Sequence, residues 1–371
     1  MRITTYGFVA LGLMMSTSWV HAYSYRTCGG SAQKFSRNTV TIAPSQASFG
    51  SDDRLMAALR YTINIFFNRN ASNFDYRIGS IDRSRRIRHG DGKNQIYFAR
   101  RGDICGPACA YVQKDCYWFF GWERGVKEID VGFSSDTRWD FGNRFRRTNV
   151  SAWGGRFRPF YSAALHELAH SGYLGHEDRF YNVMGEDFTH LHATVNGEYI
   201  PYVGEDTGRG LVYLYGRDNG QTDLAASPFV RVGSNGGYSD HSWGQIRDAA
   251  NGRVVRWRNT ADGRRFEVAR GQRVNATFTY ENVGGTNHRN VRVGFYISND
   301  MNISTQDRRI GGRRMNMNLD TPWSTGTSLT IPNNLQVGRT YYLGVLVNDN
   351  YRVSESWLHN NQAYHPIRIV R

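Results

Sequence analysis

The chain has 371 residues, 40% of them hydrophobic, 14% aromatic and 21% charged, which excludes a disordered or low-complexity protein and leaves room for two domains. Its net charge of +14 is carried almost wholly by arginine, since Lys34, Lys93, Lys114 and Lys127 are its only lysines. That charge favours acidic surfaces such as phosphorylated or sulfated glycans or anionic lipid. The arginines are nevertheless scattered and no nucleic-acid motif accompanies them, which argues against a nucleic-acid-binding protein.

The first residues carry the pattern of a secretory signal over 1–22: Arg2 supplies positive charge, 6–15 are mostly apolar, and Ala22 ends a small-residue cleavage site. The apolar run is too short for a transmembrane span. The mature chain is expected to begin near Tyr23 and to be secreted, periplasmic or held at the cell surface. Cys28, Cys105, Cys109 and Cys116 all lie in the first half. An even number in an exported chain predicts two disulfides, with three connectivities open. A four-cysteine zinc site is the competing arrangement, which the isolation of Cys28 suits poorly.

Residues 23–50 are rich in Ser, Gly and Thr and read as an extended lead-in. Ser51 then reads as the cap of a helix, and Leu55, Met56, Leu59, Ile63, Phe66 and Phe67 recur at helical spacing to about Asn68. Residues 74–81, 95–99 and 128–133 read as strands, the last as a half-exposed edge, and 102–116 as a cysteine loop. A helix over 160–171 follows, then a tight turn around Met184 and a last helix over 206–215 stopped by Gly216. This order describes an α+β domain over 51–225 with its site beneath a sheet edge. Residues 226–261 read as an irregular linker. In 262–371, segments 274–280, 291–297, 328–331, 341–347 and 363–370 alternate between Gly- or Asn-rich turns, the pattern of an all-β, immunoglobulin-like sandwich.

Chemistry concentrates in residues 164–177. His166 and His170 stand four apart with Glu167 between them, and His176 follows six residues later. On a helix the first two imidazoles share a face one turn apart and can grip one Zn²⁺. A straight helix cannot wrap round the ion, so Gly172 or Gly175 is expected to bend the chain and return His176 to it. Three histidines leave a fourth position for water, the layout of a catalytic zinc. The spacing speaks to one zinc ion and makes no statement about calcium.

With Met184 added, this stretch resembles the metzincin clan of zinc peptidases, whose pattern is His-Glu-x-x-His-x-x-Gly-x-x-His followed by a methionine turn. The resemblance implies zinc ligands at His166, His170 and His176, a catalytic acid/base at Glu167, and a methionine floor at Met184. Tyr173 stands where the pattern has glycine. Glu177 follows the third histidine as in the astacin-like branch, but Glu186 replaces the tyrosine of that branch. Arg26, Thr27, Cys28 and two glycines are similar to the cysteine-switch segments of some metzincin proforms, in which a thiolate fills the open zinc position; a Cys28 disulfide stands against that.

Residues 268–371 are similar to the bacterial adhesion-related domain called CARDB, through residues 295–300, 303–307, Ile331-Pro332, 338–344, and Glu355 ahead of Asn360 and Asn361. That implies an extracellular accessory module and a bacterial source. The sequence thus predicts a multidomain protein, an α+β metzincin-like domain followed by the sandwich, acting as an exported zinc endopeptidase on protein or peptide. A non-catalytic adhesion protein and a zinc hydrolase of a cell-wall amide bond are the alternatives.

Overall fold

The computed structural model describes residues 23–28, 31–84, 86–115, 125–142, 149, 155–185, 193–195, 197–232, 242–260 and 263–371. The signal-peptide assignment, Cys116 and Glu186 lie outside the described residues, and so does the Cys28 thiol.

The first unit is a five-stranded sheet with helices on it. β1 (Thr39–Pro44) leads into a single helical turn, Gln46–Phe49, and then α1 (Asp53–Tyr61). β2 (Asp75–Ile78), β3 (Gln95–Ala99), β4 (Ala108–Asp115) and β5 (Gly125–Ser134) complete the sheet, in the order β2-β1-β3-β5-β4. All neighbours are parallel except β4, which runs antiparallel to β5 at the edge. α2 (Phe160–Ser171) packs against β4, β5 and the end of the α1 segment, and α3 (Glu205–Tyr215) closes the unit.

Several elements differ from the sequence reading. Residues 39–44, read as lead-in, form an inner strand, and Val40 and Ile42 are buried in it. Two apolar side chains between threonines are enough once neighbours pair on both sides. α1 is capped by Asp52, whose carboxylate accepts from the Leu55 N–H at 3.1 Å, instead of by Ser51. The helix continues as a π-helical turn, Thr62–Phe67, so its apolar face extends to Asn68 as the spacing predicts. The cysteine segment is largely strand: the edge is β4, and the strand through Gly132 is internal. Cys105 and Cys109 are joined in a disulfide, which fixes one pairing and removes the four-cysteine zinc site.

α2 occupies the residues predicted for it. Every residue in it is buried except His170, which is half-buried, so this helix is enclosed on all sides. Each fully buried Phe or Leu contributes about 1.5–3 kcal/mol, and Phe160, Leu165 and Leu168 are all of that kind. α3 stops where Gly216 takes φ +84°, its N–H returning to the Val212 carbonyl at 2.8 Å.

The second unit is two packed sheets. One contains β6 (Leu224–Ser227), β7 (Ile246–Asp248), β10 (Arg273–Asn282) and β13 (Trp323–Thr330), with β6 and β7 sharing one side of β10 and β13 on the other. The other runs β8 (Trp257–Thr260), β9 (Gly263–Ala269), β15 (Gln362–Val370), β14 (Thr340–Val347), β11 (His288–Ser298) and β12 (Arg308–Met317). Phe278, Val293, Phe295, Leu343, Val345 and Ile367 fill the space between them. Residues 226–261 are therefore not simply a linker, since they supply strands to both sheets. Those strands have three or four residues each, too short to show a period of two. β12 escapes the sequence reading because its paired glycines and arginines look like a turn.

Buried carboxylates join the two units. Glu205 accepts from the Asn282 N–H at 2.8 Å and the Thr321 N–H at 2.9 Å, while Glu281 accepts from the Glu205 N–H at 3.1 Å and from the Tyr202 hydroxyl. Burial pushes both carboxyls above the usual range. Among the described residues, no helix is long and apolar enough to cross a membrane.

Candidate metal centre

α2 presents His166 and His170 one turn apart, as the four-residue spacing requires. The chain then reverses, and His176 comes back to meet them. The Nε2 atoms of His166 and His176 lie 3.3 Å apart, and those of His170 and His176 2.9 Å apart. One ligand atom from each residue falls within 4.8 Å of the others.

The reversal is not made by a glycine. Gly172 has φ −72°, whereas Tyr173 takes φ +77°. This corrects the expectation that Gly172 or Gly175 would bend the chain. Both glycines answer to space. A Cβ on Gly172 would lie 2.9 Å from Leu211 Cδ2, and one on Gly175 would lie 2.7 Å from Ser24 Oγ. A tyrosine in this region costs on the order of 1 kcal/mol or more. Its surroundings offset that cost: Tyr173 is fully buried and its hydroxyl donates to Gln33 Oε1.

The amino-terminal segment braces the same loop. Ser24 and Tyr25 pair antiparallel with Gly175 and Leu174, and the Arg26 N–H donates to the Tyr173 carbonyl at 3.3 Å. The loop between the second and third histidines is thus held by residues that precede the whole sheet.

Each helix histidine is also oriented from behind. His166 Nδ1 lies 2.8 Å from the Val183 carbonyl, and His170 Nδ1 lies 2.8 Å from the Leu174 carbonyl. A carbonyl only accepts, so both Nδ1 atoms carry the proton and both Nε2 lone pairs point into the cluster. Burial pushes His170 down to about 4, which keeps that ring neutral. Lone pairs this close repel unless a cation lies among them. Nitrogens bound tetrahedrally to zinc at about 2.0–2.1 Å stand roughly 3.3 Å apart, close to the 3.3 and 2.9 Å found here, so these three residues could hold a metal ion.

Glu167 is buried beside His166. Burial pushes its carboxyl up to about 8, while the Ala110 N–H of β4 donates to it and pulls the other way. A divalent cation on the neighbouring imidazoles would lower it further. The sheet edge therefore does touch the site, through a strand whose residues read as a loop in the sequence.

Met184 is buried in the same core as α2, next to Val183. Its turn is organised by Asn182, whose amide donates to the Phe180 carbonyl at 2.9 Å and the Glu177 carbonyl at 3.1 Å and whose oxygen accepts from the Met184 N–H at 2.5 Å. Glu177 is held by a two-point contact from Arg179, at 2.9 and 2.8 Å. The sequence reading missed Asn182, Ala110, Gln33 and the two orienting carbonyls. Only Asn182, two residues before the methionine, carried a local signal, because Asn side chains commonly bond backbone two residues on.

No family model and no curated protein matches the chain. Among solved structures, the chain is similar to a CARDB domain from Pyrococcus furiosus crystallised with di-metal ions, at 14% identity over 40% of this chain and 90% of that one, TM-score 0.25. It is also similar to wild-type OgpA from Akkermansia muciniphila, at 10% identity over 92% of this chain and 95% of that one, TM-score 0.22. Catalytically inactive OgpA in complex with an O-glycopeptide matches over the same shares at 10% identity and TM-score 0.24. At such scores these likenesses bear on neither the site nor its chemistry.

Proposed function

We propose that the protein is an exported zinc endopeptidase of metzincin type. The observation that carries this reading is the convergence of the His166, His170 and His176 ligand atoms, all within 4.8 Å, beside a buried Glu167 on the helix that bears the first two. The Cys105–Cys109 disulfide supports an oxidising compartment.

A zinc ion held there supplies Lewis acidity toward a scissile carbonyl and eases the ionisation of a water molecule. Glu167 takes the proton from the attacking water and returns it to the leaving amine. The Ala110 N–H fixes the carboxylate for that exchange. The Val183 and Leu174 carbonyls hold His166 and His170 in the tautomer that ligation needs. β4, at the sheet edge beside α2, offers ladder positions to an extended peptide, which favours an internal peptide bond as the target.

The test is incubation of the protein that begins at Tyr23 with a broad peptide library, with and without a zinc chelator, alongside Glu167→Gln. Chelator-sensitive cleavage that Glu167→Gln abolishes is the expected result. No such cleavage of any peptide would overturn the reading, and release of amide products from cell-wall fragments would then identify the cell-wall hydrolase instead.

A further inference from the structure

The sandwich carries a cluster of arginines that the peptidase reading does not use. On the ladder between β11 and β12, Arg292 stands directly opposite Arg314, Gly294 opposite Gly312, and Tyr296 opposite Arg309. Val293 and Phe295 point into the core, so by alternation these three pairs lie on the outer face. Like charges directly opposite on a ladder are destabilising. One acid partly compensates: Asp349, whose side chain is fully buried, lies 2.8 Å from Arg292 Nε and 3.4 Å from Arg309 Nε and accepts from the Tyr296 hydroxyl at 2.8 Å.

Two guanidiniums therefore share one carboxylate, and that of Arg309 also bonds the Tyr296 hydroxyl; with five N–H donors each, they keep donors for a second anion. Arg314 is exposed and has no acidic partner among the described residues. On this face Arg292, Arg309 and Arg314 against one carboxylate leave a local charge of +2, while the guanidinium of Arg313, opposite core-facing Val293, lies over the Trp323 ring.

The glycine pair makes the space. A Cβ on Gly312 would collide with the Arg309 guanidinium, and one on Gly294 would collide with the Asp349 carboxylate. Any side chain at either position would push the charged groups off the sheet. The result is an open depression of about 510 Å³ lined by Arg292, Arg309, Gly312, Arg313 and Arg314.

We propose that this depression is an oxyanion site that binds sulfate or phosphate ester groups. Planar guanidinium forks pair two-point with tetrahedral oxyanions, and an anion between Arg292 and Arg314 would turn their repulsion into a shared attraction. The site is independent of the zinc cluster and of the peptidase reading.

The test is calorimetric titration of the full mature protein with inorganic sulfate, inorganic phosphate and heparin at fixed ionic strength. The variants are Arg314→Gln, Gly312→Ala and, as a control, Arg270→Gln at an exposed turn away from the site. Binding that weakens about tenfold in Arg314→Gln and Gly312→Ala but not in Arg270→Gln supports the site. A preference for heparin and sulfate identifies a sulfate ester, and a preference for phosphate identifies a phosphate ester. Absence of binding by all three probes, or equal weakening in Arg270→Gln, would overturn it. Arg314→Gln removes an exposed side chain, so its melting temperature should match wild type and separate lost binding from lost folding.

Discussion

The hydroxyl of Tyr173 donates to the side-chain oxygen of Gln33, 140 positions earlier in the chain. That bond ties the positive-φ residue of the ligand loop to the segment that pairs with the loop's other end. Tyr173→Phe keeps the buried ring and removes the bond, so it should cost about 1–2 kcal/mol and weaken zinc binding severalfold by loosening His176. Tyr173→Gly relieves the backbone but empties the ring's place, and should cost more, about 3 kcal/mol or above. Denaturant titration and zinc competition with a chelator measure the two effects.

Glu167→Gln should retain zinc at one ion per chain and lose peptide cleavage by about 10²–10⁴-fold, the usual contribution of a general base. His170→Ala should lose both. Metal analysis of the purified variants, set beside their turnover, separates the roles; a Glu167→Gln variant with full activity would exclude Glu167 as the base.

Asn182→Ala should destabilise the methionine turn. The fully buried amide satisfies two carbonyls and one N–H there, so its loss should cost about 2–4 kcal/mol. Because Val183 orients His166, zinc affinity should fall along with stability. Thermal unfolding with and without added zinc reads both.

Glu355 gives a pH signature. Its carboxylate accepts from the Leu224 N–H at 2.7 Å and from the Asn348 and Asn361 amides at 2.6 and 2.7 Å, tying β6 to the end of β14 and the start of β15. Burial nevertheless pushes it from 4.5 up to about 7. The folded protein thus holds this proton more tightly than the unfolded chain does. The contribution of Glu355 is fully present below pH 4.5 and is lost as pH rises through about 7. The stability of wild type relative to Glu355→Gln should therefore increase as pH falls from 7 to 4.5, as measured by urea denaturation across that window. A difference that shrinks on acidification would contradict this assignment.

Part of this architecture is legible in local sequence pattern. Helical spacing alone places His166, Glu167 and His170 on one helix, because residues four apart share a face whatever surrounds them. Alternation likewise finds β10, β11, β14 and β15 in the sandwich, where one face is core. The Glu355, Asn360 and Asn361 signature is visible too, though not its reason: Glu355 and Asn361 bond each other, and Asn360 donates to buried Asp223 at 2.9 Å.

Contacts between distant parts of the chain decided the rest. Residues 39–44 became an inner strand because β2 and β3 pair on either side of them, a fact that no six-residue window contains. The bend fell on Tyr173, whose hydroxyl Gln33 receives, while Leu211 and Ser24 leave room for nothing larger than glycine at positions 172 and 175. The sequence by itself determined that His166 and His170 could share a metal, since that depends on a period of one helical turn. Only the tertiary structure decided how the third histidine returns, because the energy that offsets a strained backbone comes from side chains remote in sequence.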